Sequence, residues 1–512
     1  MSIIDQSGGD ALKLNRPIST YFGIGFVALV IFIIAILQGL VTAIAPSLAG
    51  RLVLISIISL VLIIAVMGRN DKPVCEKFLT IWLVLLVFVL ACWPSYLFFT
   101  FHGLPSFDAR KLMAGGSLIA LFYLVVNRRQ LLKPILSNEG RPLRVGLWLL
   151  TTFVSWRLAS CFVTGYPIAS VILVLGEIIN YYALFIIGML IFNGVMLRQR
   201  FMISFMLAAI FIFLYVMVEW ETEYNWLLNI APRHENFAAF NVMLELSRFR
   251  GDFFRAQGTF EHPLVLAEFT AMAASFALAT LLWKGSSGIK LLGSLVLLLS
   301  FVAAWMSGSR IAFIAIGAGL LIVSLLWLSH VRKPQSSKVR LYRKLFVIFA
   351  VISSVIAAVP TLILIAEGKS LSENASTQGR LIMLDRGIPS IMENPIFGSG
   401  PGYAGGIAGI KGGSGIGTLD NHLLAIAIES GVFSLLLFLA LLIYPVWRTL
   451  VYLTEKIGTE GALLAGGAGA LVAFCIVRTI LMIPYNQSFA FLIAGMLLSA
   501  TTVAVPKNLA KE

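Results

Sequence analysis

Apolar runs, each close to the ~20 residues that a helix needs to cross a bilayer, recur along almost the whole of this chain. They fall near 21–44, 52–68, 78–101, 112–126, 145–163, 168–196 and 201–218, and again near 264–283, 291–306, 311–329, 345–366, 422–446, 461–483 and 486–505. The run at 112–126 is short, and the one at 168–196 is long enough to be tilted or broken. A soluble chain of 512 residues would divide into about three domains of ~150 residues, but composition excludes that here. Hydrophobic residues make up 59% and charged residues 12%, against ~25% charged in soluble globular proteins. The same figures exclude disorder, collagen and coiled coil. The expected fold is an all-α polytopic integral membrane protein with about fourteen transmembrane helices. Lys13 and Arg16 precede a long first run rather than the short apolar core of a signal peptide, so no cleavable leader is expected.

Alternating the loops across the membrane tests the count. With the N-terminus inside, inner segments hold 24 of the 38 Lys and Arg and 8 of the 24 acids, whereas outer segments hold 12 and 13. This is the positive-inside bias, and it puts both termini in the cytoplasm. It also absorbs the formal charge of +14, so no nucleic-acid partner is expected. The organisation that follows is a seven-span bundle (1–218), an outer loop (219–263), spans eight to eleven (264–366), a large outer loop (367–421) and three final spans (422–512). The four cysteines are scattered, with neither a metal-ligand spacing nor a disulfide framework.

Loops of this size on one side of a bundle usually carry function. The first ends in Arg248, Arg250, Arg255 and His262-Pro263, an arginine cluster that runs against the positive-inside trend. Lipid headgroups or the acids Glu219, Glu221, Glu223 and Glu235 offer those arginines ordinary partners. Ser309-Arg310 sits between two spans with almost no loop, so the guanidinium must snorkel or be paired. The second loop carries Arg380 and Arg386 in a segment whose Leu381, Leu384, Ile388 and Ile391 recur at three- and four-residue steps. That spacing predicts an amphipathic helix lying on the membrane or the bundle. Ten glycines between 398 and 417 predict a mobile lid. Asp420-Asn421-His422 opens the next span. Asp420 reads either as a helix cap or as a proton acceptor, and His422 either as interfacial or as active. Glu429, inside the span, needs a partner, and Arg157 and Arg478 are available. Gly400 to Gly405 spells G-x-G-x-x-G with no strand before it, so it is no dinucleotide site. No metal or cofactor motif is found.

Four segments together resemble the O-antigen polymerase and O-antigen ligase (Wzy-type) family. They are Arg255 to Pro263, Ser309-Arg310, Arg380 to Gly402 with its Asn394-Pro395 and Phe397-Gly398, and Asp420-Asn421 with Glu429 and Gly431. The resemblance covers about 255–431, and the N-terminal half matches only as apolar spans. It implies a GT-C-like architecture in the bacterial inner membrane, with a site facing the periplasm. The reaction it implies is glycosyl transfer from an undecaprenyl-diphosphate-linked oligosaccharide to a sugar hydroxyl, without cofactor or metal. Arg255, Arg310 and Arg380 are then expected to converge on the diphosphate, Asp420 and His422 to handle the acceptor proton, and Arg386, Asn421, Glu429 and His262 to support them. Membrane lipid, a chain-length regulator and export proteins are the implied partners. Family ligases begin the Asn motif with His. Asp420 stands there instead, which favours a polymerase of O-antigen, capsule or exopolysaccharide over a ligase acting on lipid A core or protein. A transporter is the third reading, kept open by Glu177, Glu268, Arg157 and Arg478 near the membrane interior. Reporter fusions at Gly251 and Gly412 are expected to read the outside and one at Ser336 the cytoplasm. The same side for Ser336 and Gly412 would sink the topology.

Overall fold

Helix starts follow local chemistry. Pro167 and Pro263 occupy first positions whose N–H would be unpaired in any case, and Ser286 Oγ accepts the Ile289 N–H at 3.4 Å. The computed structural model describes residues 76–94, 96–98, 108–127, 132–192, 194–230, 248–250, 253–283, 285–330, 371–411, 417–452 and 459–502, all within one unit. In chain order they form α1 (Glu76–Cys92), α2 (Ala109–Asn127), α3 (Arg141–Ser160), α4 (Pro167–Ile191), α5 (Val195–Thr222), α6 (Pro263–Leu282), α7 (Ser287–Met306), α8 (Arg310–His330), α9 (Leu371–Glu393), α10 (His422–Tyr452), α11 (Thr459–Arg478) and α12 (Gln487–Ala500). Two antiparallel ribbons complete the fold, β1 (Phe249–Arg250) with β2 (Phe253–Phe254) and β3 (Ile410–Lys411) with β4 (Gly417–Thr418).

Among the described residues, eight helices are long and apolar enough to cross a membrane: α3 to α8, α10 and α11. The shorter apolar stretches Leu79–Cys92 of α1 and Gln487–Ala500 of α12 accompany them, and α2 covers the short run at 112–126. The runs near 21–44, 52–68 and 345–366 lie outside the described residues. α1 stops at Cys92, ahead of Trp93-Pro94, well before the expected end of its run near 101. α4 is broken by a π-helical segment, Ile178–Tyr182.

α6 is the centre of the bundle, buried along nearly its whole length and packed by α7, α8 and α11. Without a solvent-driven force between helices in lipid, close packing must hold them together. Small residues supply it. A Cβ on Gly188 would stand 2.4 Å from Leu492 O, and one on Gly495 would stand 2.1 Å from Phe185 O, so α4 and α12 cross backbone to backbone.

Three sets of charges inside the bundle are paired. Arg478 Nη2 donates to Glu268 Oε2 at 2.7 Å, both residues fully buried, and Asn486 Nδ2 donates to the same oxygen at 3.0 Å. Arg198 Nη2 meets Glu460 Oε1 at 2.5 Å. Arg157 meets Glu177 and Glu429. These pairs account for the buried charges that a transporter reading would use.

The largest departure from the sequence reading lies in α10. A single uninterrupted span is expected there, but Gly431 leaves helical geometry (φ 80°, ψ 172°) and divides α10 into a short helix, 422–430, and a long one, 432–452. The main-chain groups freed at the break are taken by a segment of successive turns after α9. Ser399 and Gly400 N–H donate to Ile428 O and Glu429 O at 2.8 Å, and Val432 N–H donates to Pro395 O at 2.9 Å. A Cβ at Gly431 would stand 2.2 Å from Ile396 O. Gly431→Ala is therefore expected to destabilise by at least the ~1–3 kcal/mol of a glycine-only backbone conformation. Gly406→Ala, where a Cβ meets open space, serves as the silent control. Chemical unfolding in micelles reads both, and equal stability of the two variants would refute the break.

Candidate functional site

Arg255 follows β2 and is held in extended form from both sides. Its N–H donates to Arg248 O at 2.7 Å, the Ala256 N–H donates to Met306 O at 3.0 Å, and Arg255 Nε donates to Ser307 O at 3.0 Å. The side chain thus lies along the Ser307-Gly308 turn that joins α7 to α8. A Cβ on Gly308 (φ 59°) would come within 2.9 Å of Arg255 Cγ. Arg310 opens α8 immediately after this turn. The Ser307-Gly308 turn thus lies between the Arg255 side chain and the start of α8.

Two neighbours have side chains left unpartnered among the described residues, which the sequence does not mark. Gln257 is 0% exposed, and neither of its side-chain amide atoms has a hydrogen-bond partner among the described residues. Buried Ser309 Oγ is in the same position. Buried polar groups are rarely left so, and these two flank Arg255 and Arg310 in sequence. The loop is anchored by Glu219, buried in α5. Its carboxylate accepts the Gly258 N–H at 2.6 Å and the Gln257 N–H at 3.3 Å, and Asn225 Nδ2 donates to it at 3.0 Å. Arg248 meets main chain rather than an acid, donating to Glu223 O at 3.1 Å. His262 caps α6, its Nδ1 accepting the Leu264 N–H at 3.0 Å.

Arg380 and Asp420 form a second group. Arg380 lies on α9, close enough for its charge to act on the Asp420 carboxyl. Desolvation by the surrounding protein pushes that carboxyl above the usual carboxylate range, and Arg380 pulls it partly back. A raised carboxylate is a stronger base. The capping reading of Asp420 is replaced. Asn421 is the cap, its Oδ1 accepting the Leu424 N–H at 2.9 Å, and Asp420 precedes α10, with its own N–H on Met383 Sδ at 3.4 Å. His422, the first residue of α10, turns the other way. Its ring packs edge-on to Phe438 with centroids 5.4 Å apart. Both ring nitrogens are buried without a hydrogen-bond partner among the described residues. Arg386 Nη1 donates to Gly409 O at 3.2 Å and so ties α9 to the residues before β3.

α9 extends further than the expected amphipathic stretch. Met383 and Gly387 face α10, whereas Leu381 (56% exposed) and Ile388 (49% exposed) point away from the bundle. Of the apolar stripe, Leu381, Leu384 and Ile388 thus serve the surroundings, as an interfacial helix requires, whereas Ile391 packs against the cluster of Met383, Leu424 and Ile428.

The lid expectation fails for Phe397 to Gly402. Gly398, Gly400 and Gly402 have positive φ, so the glycines serve conformation and not mobility. Besides the bonds at the α10 break, Gly402 N–H donates to Glu429 Oε1 at 3.0 Å, and Ser170 Oγ donates to Pro401 O at 2.8 Å. Trp156 Nε1 reaches Ile396 O at 3.0 Å and Ser430 O at 3.2 Å, and its ring stacks on Phe397 with centroids 4.7 Å apart. Glu429 takes Arg157 as its partner, at 3.2 Å, and Arg478 goes to Glu268. Residues 412–416 of the glycine run lie outside the described residues. Among the described residues no three His, Cys, Asp or Glu come together as they would around a metal ion.

Guanidinium groups, the Asp420 carboxylate and orphaned buried polar atoms lie in or beside the segments that join α7 to α8 and α9 to α10. Residues 295–439 match the Wzy_C family model, O-antigen ligase. The match bears out the resemblance to the Wzy-type polymerase and ligase family. It takes in Arg310, Arg380, Arg386, Asp420, Asn421, His422 and Glu429, and stops short of Arg255 and His262. No curated protein matches the chain.

Removing the Glu219 carboxylate strands two buried N–H groups beside Arg255. Glu219→Ala is expected to cost about 1–3 kcal/mol of stability, the penalty for an unsatisfied buried donor, measured by chemical unfolding. Stability equal to wild type would show that the carboxylate does not hold the loop.

Proposed function

We propose that this membrane protein is a polysaccharide polymerase of the Wzy type. In this reading it resides in the bacterial inner membrane with both termini cytoplasmic, and a GT-C-like bundle of about fourteen spans presents the site to the periplasm. The donor is an undecaprenyl-diphosphate-linked oligosaccharide, and the acceptor is a sugar hydroxyl on a second lipid-linked glycan. The product is O-antigen, capsule or exopolysaccharide, made beside a chain-length regulator and export proteins. A lipid diphosphate is already an activated leaving group, so neither nucleotide, metal nor cofactor is needed.

In the proposed step the acceptor hydroxyl oxygen attacks the anomeric carbon of the donor. The bond from that carbon to the diphosphate oxygen breaks, and the electron pair leaves with the diphosphate. The hydroxyl proton passes to the Asp420 carboxylate. Arg255, Arg310 and Arg380 neutralise the departing charge with permanently charged planar donors, which in a desolvated site act most strongly at the transition state. The observation that carries the reading is an exposed Asp420 freed from capping by Asn421, with the charge of Arg380 acting on its carboxyl, inside the segment that matches the family. The family description, O-antigen ligase, favours a second reading in which the same chemistry delivers finished glycan to lipid A core or protein.

The test is reconstitution in liposomes with a lipid-diphosphate oligosaccharide and no nucleotide sugar. A ladder of lengthened chains is expected. Transfer only to an added lipid A core would select the ligase, and no transfer to either would refute both. Arg255→Ala, Arg310→Ala and Arg380→Ala are each expected to lower turnover about 100-fold, as loss of a transition-state donor does, with incomplete rescue by Lys. Asp420→Asn is expected to abolish turnover while the fold persists. Near-normal polymer from Asp420→Asn with an inactive His422→Ala would move the proton to His422.

A further inference from the structure

Arg157 belongs to α3, in the N-terminal half and outside the matched segment. It is 2% exposed. Its Nε and Nη2 fork onto the two oxygens of Glu177, each at 2.9 Å, and Tyr182 OH donates to Glu177 Oε2 at 3.0 Å. From the same guanidinium, Nη2 reaches Glu429 Oε2 at 3.2 Å and Nη1 reaches Ser430 Oγ at 3.3 Å. Glu429 and Ser430 are the last residues before the break at Gly431. The other Glu429 oxygen holds the Gly402 N–H, so one side chain joins the docked 395–402 segment to the short helix 422–430. Immediately ahead of that helix stand Asp420 and its cap, Asn421.

We propose that Arg157 is a positioning residue for glycosyl transfer. Acting through Glu429 and Ser430, it fixes the joint between the 395–402 segment and the helix 422–430, and thereby the placement of Asp420. The inference rests on the reading of Asp420 as the proton acceptor and adds a residue from the other half of the chain. The buried pair Arg198–Glu460 makes a natural comparison, because Arg198 donates to Phe192 O and to Glu460, neither of which belongs to the joint. A charge at Arg157 is needed simply to fold, since without it Glu177 and Glu429 would share a buried site with no counter-ion. Lysine keeps that charge but lacks the planar fork that serves two carboxylates and a hydroxyl together.

The experiment uses the full chain in nanodiscs with the lipid-diphosphate oligosaccharide as donor, and reads kcat, donor KM and amide hydrogen exchange. Arg157→Lys is expected to lower kcat about 10-fold with donor KM within about two-fold, because the fork and not the charge is lost. Exchange across 396–402 and 430–434 is expected to quicken by about 10-fold, as local opening of that joint requires, with α6 unchanged. Glu177→Gln, which leaves Arg157 and Glu429 charge-balanced, is a second arm and is expected to move both readouts in the same direction. Arg198→Lys is expected to leave kcat unchanged. Full kcat in Arg157→Lys and Glu177→Gln overturns the role of Arg157 alone, whether or not exchange quickens. Equal slowing by Arg198→Lys also overturns it, since any buried cation would then serve. A wild type that transfers no sugar overturns the glycosyl-transfer reading, and the positioning role of Arg157 falls with it.

Discussion

A main chain inside a bilayer has no water to bond with, so every N–H and C=O must find a partner within the protein. A helix does this automatically, and any break in one requires outside help. The break at Gly431 is where this constraint governs the molecule. Three bonds from the 395–400 segment replace those the helix gives up. They require the chain to enter the bundle in conformations that only glycine adopts readily, which explains Gly398, Gly400 and Gly402. They require a polar side chain at membrane depth to hold the intruding segment, which explains Glu429. That carboxylate in turn requires a cation, which explains Arg157 and, through it, Glu177. Trp156 closes the arrangement with an indole N–H on Ile396 O and Ser430 O and a ring against Phe397. One departure from helical geometry thus accounts for most of the polar residues in this region.

The break also shapes the start of α10. Helix 422–430 is short and would fray if left alone. It is held at its far end by the joint, at its near end by the Asn421 cap, and along its side by α9, where Gly387 lets the helices approach. Asp420 stands just outside this fixed unit, beside Arg380, with no structural duty of its own in the cap. The Arg255 loop is built on the same logic. The Gly258 turn is irregular backbone, and Glu219 serves its N–H groups as Glu429 serves that of Gly402.

Sequence periodicity carried the helices well, because a span is a long and redundant signal. It also left 168–196 as tilted or broken, of which the π-helical segment at 178–182 is the second, and anticipated that Glu429 needed a cation such as Arg157. The failures are local and have physical causes. A single Gly at 431 within an apolar run costs little in a helix and so does not announce a break. What produces the break is contact with Ile396, some thirty-five residues earlier. Glycine content at 398–417 reads as mobility, yet composition cannot tell a flexible glycine from one fixed at positive φ. Asp420 and Asn421 are equally good caps on propensity, so only geometry assigns the role to Asn421. Gln257 and Ser309 lie inside blocks that carry the resemblance, but no pattern marks their side chains as unpartnered or Glu219 as the anchor of the loop. Their interest lies in burial and in partners distant in sequence.

Polar residues in this chain fall into two physical classes. Arg157, Arg198 and Arg478 are buried against carboxylates of other helices, with their charge consumed by pairing. Arg255 and Arg310 flank the irregular Ser307-Gly308 turn, and Arg380 lies on α9 ahead of the 395–402 segment. In the proposed transfer from a lipid diphosphate, the second class supplies charge and the first geometry. Both the polymerase and the ligase readings use the donor machinery identically, since the leaving group is the same. They differ only in which hydroxyl meets Asp420. In the proposed chemistry the choice of acceptor then rests with the residues around that carboxylate and not with the arginines.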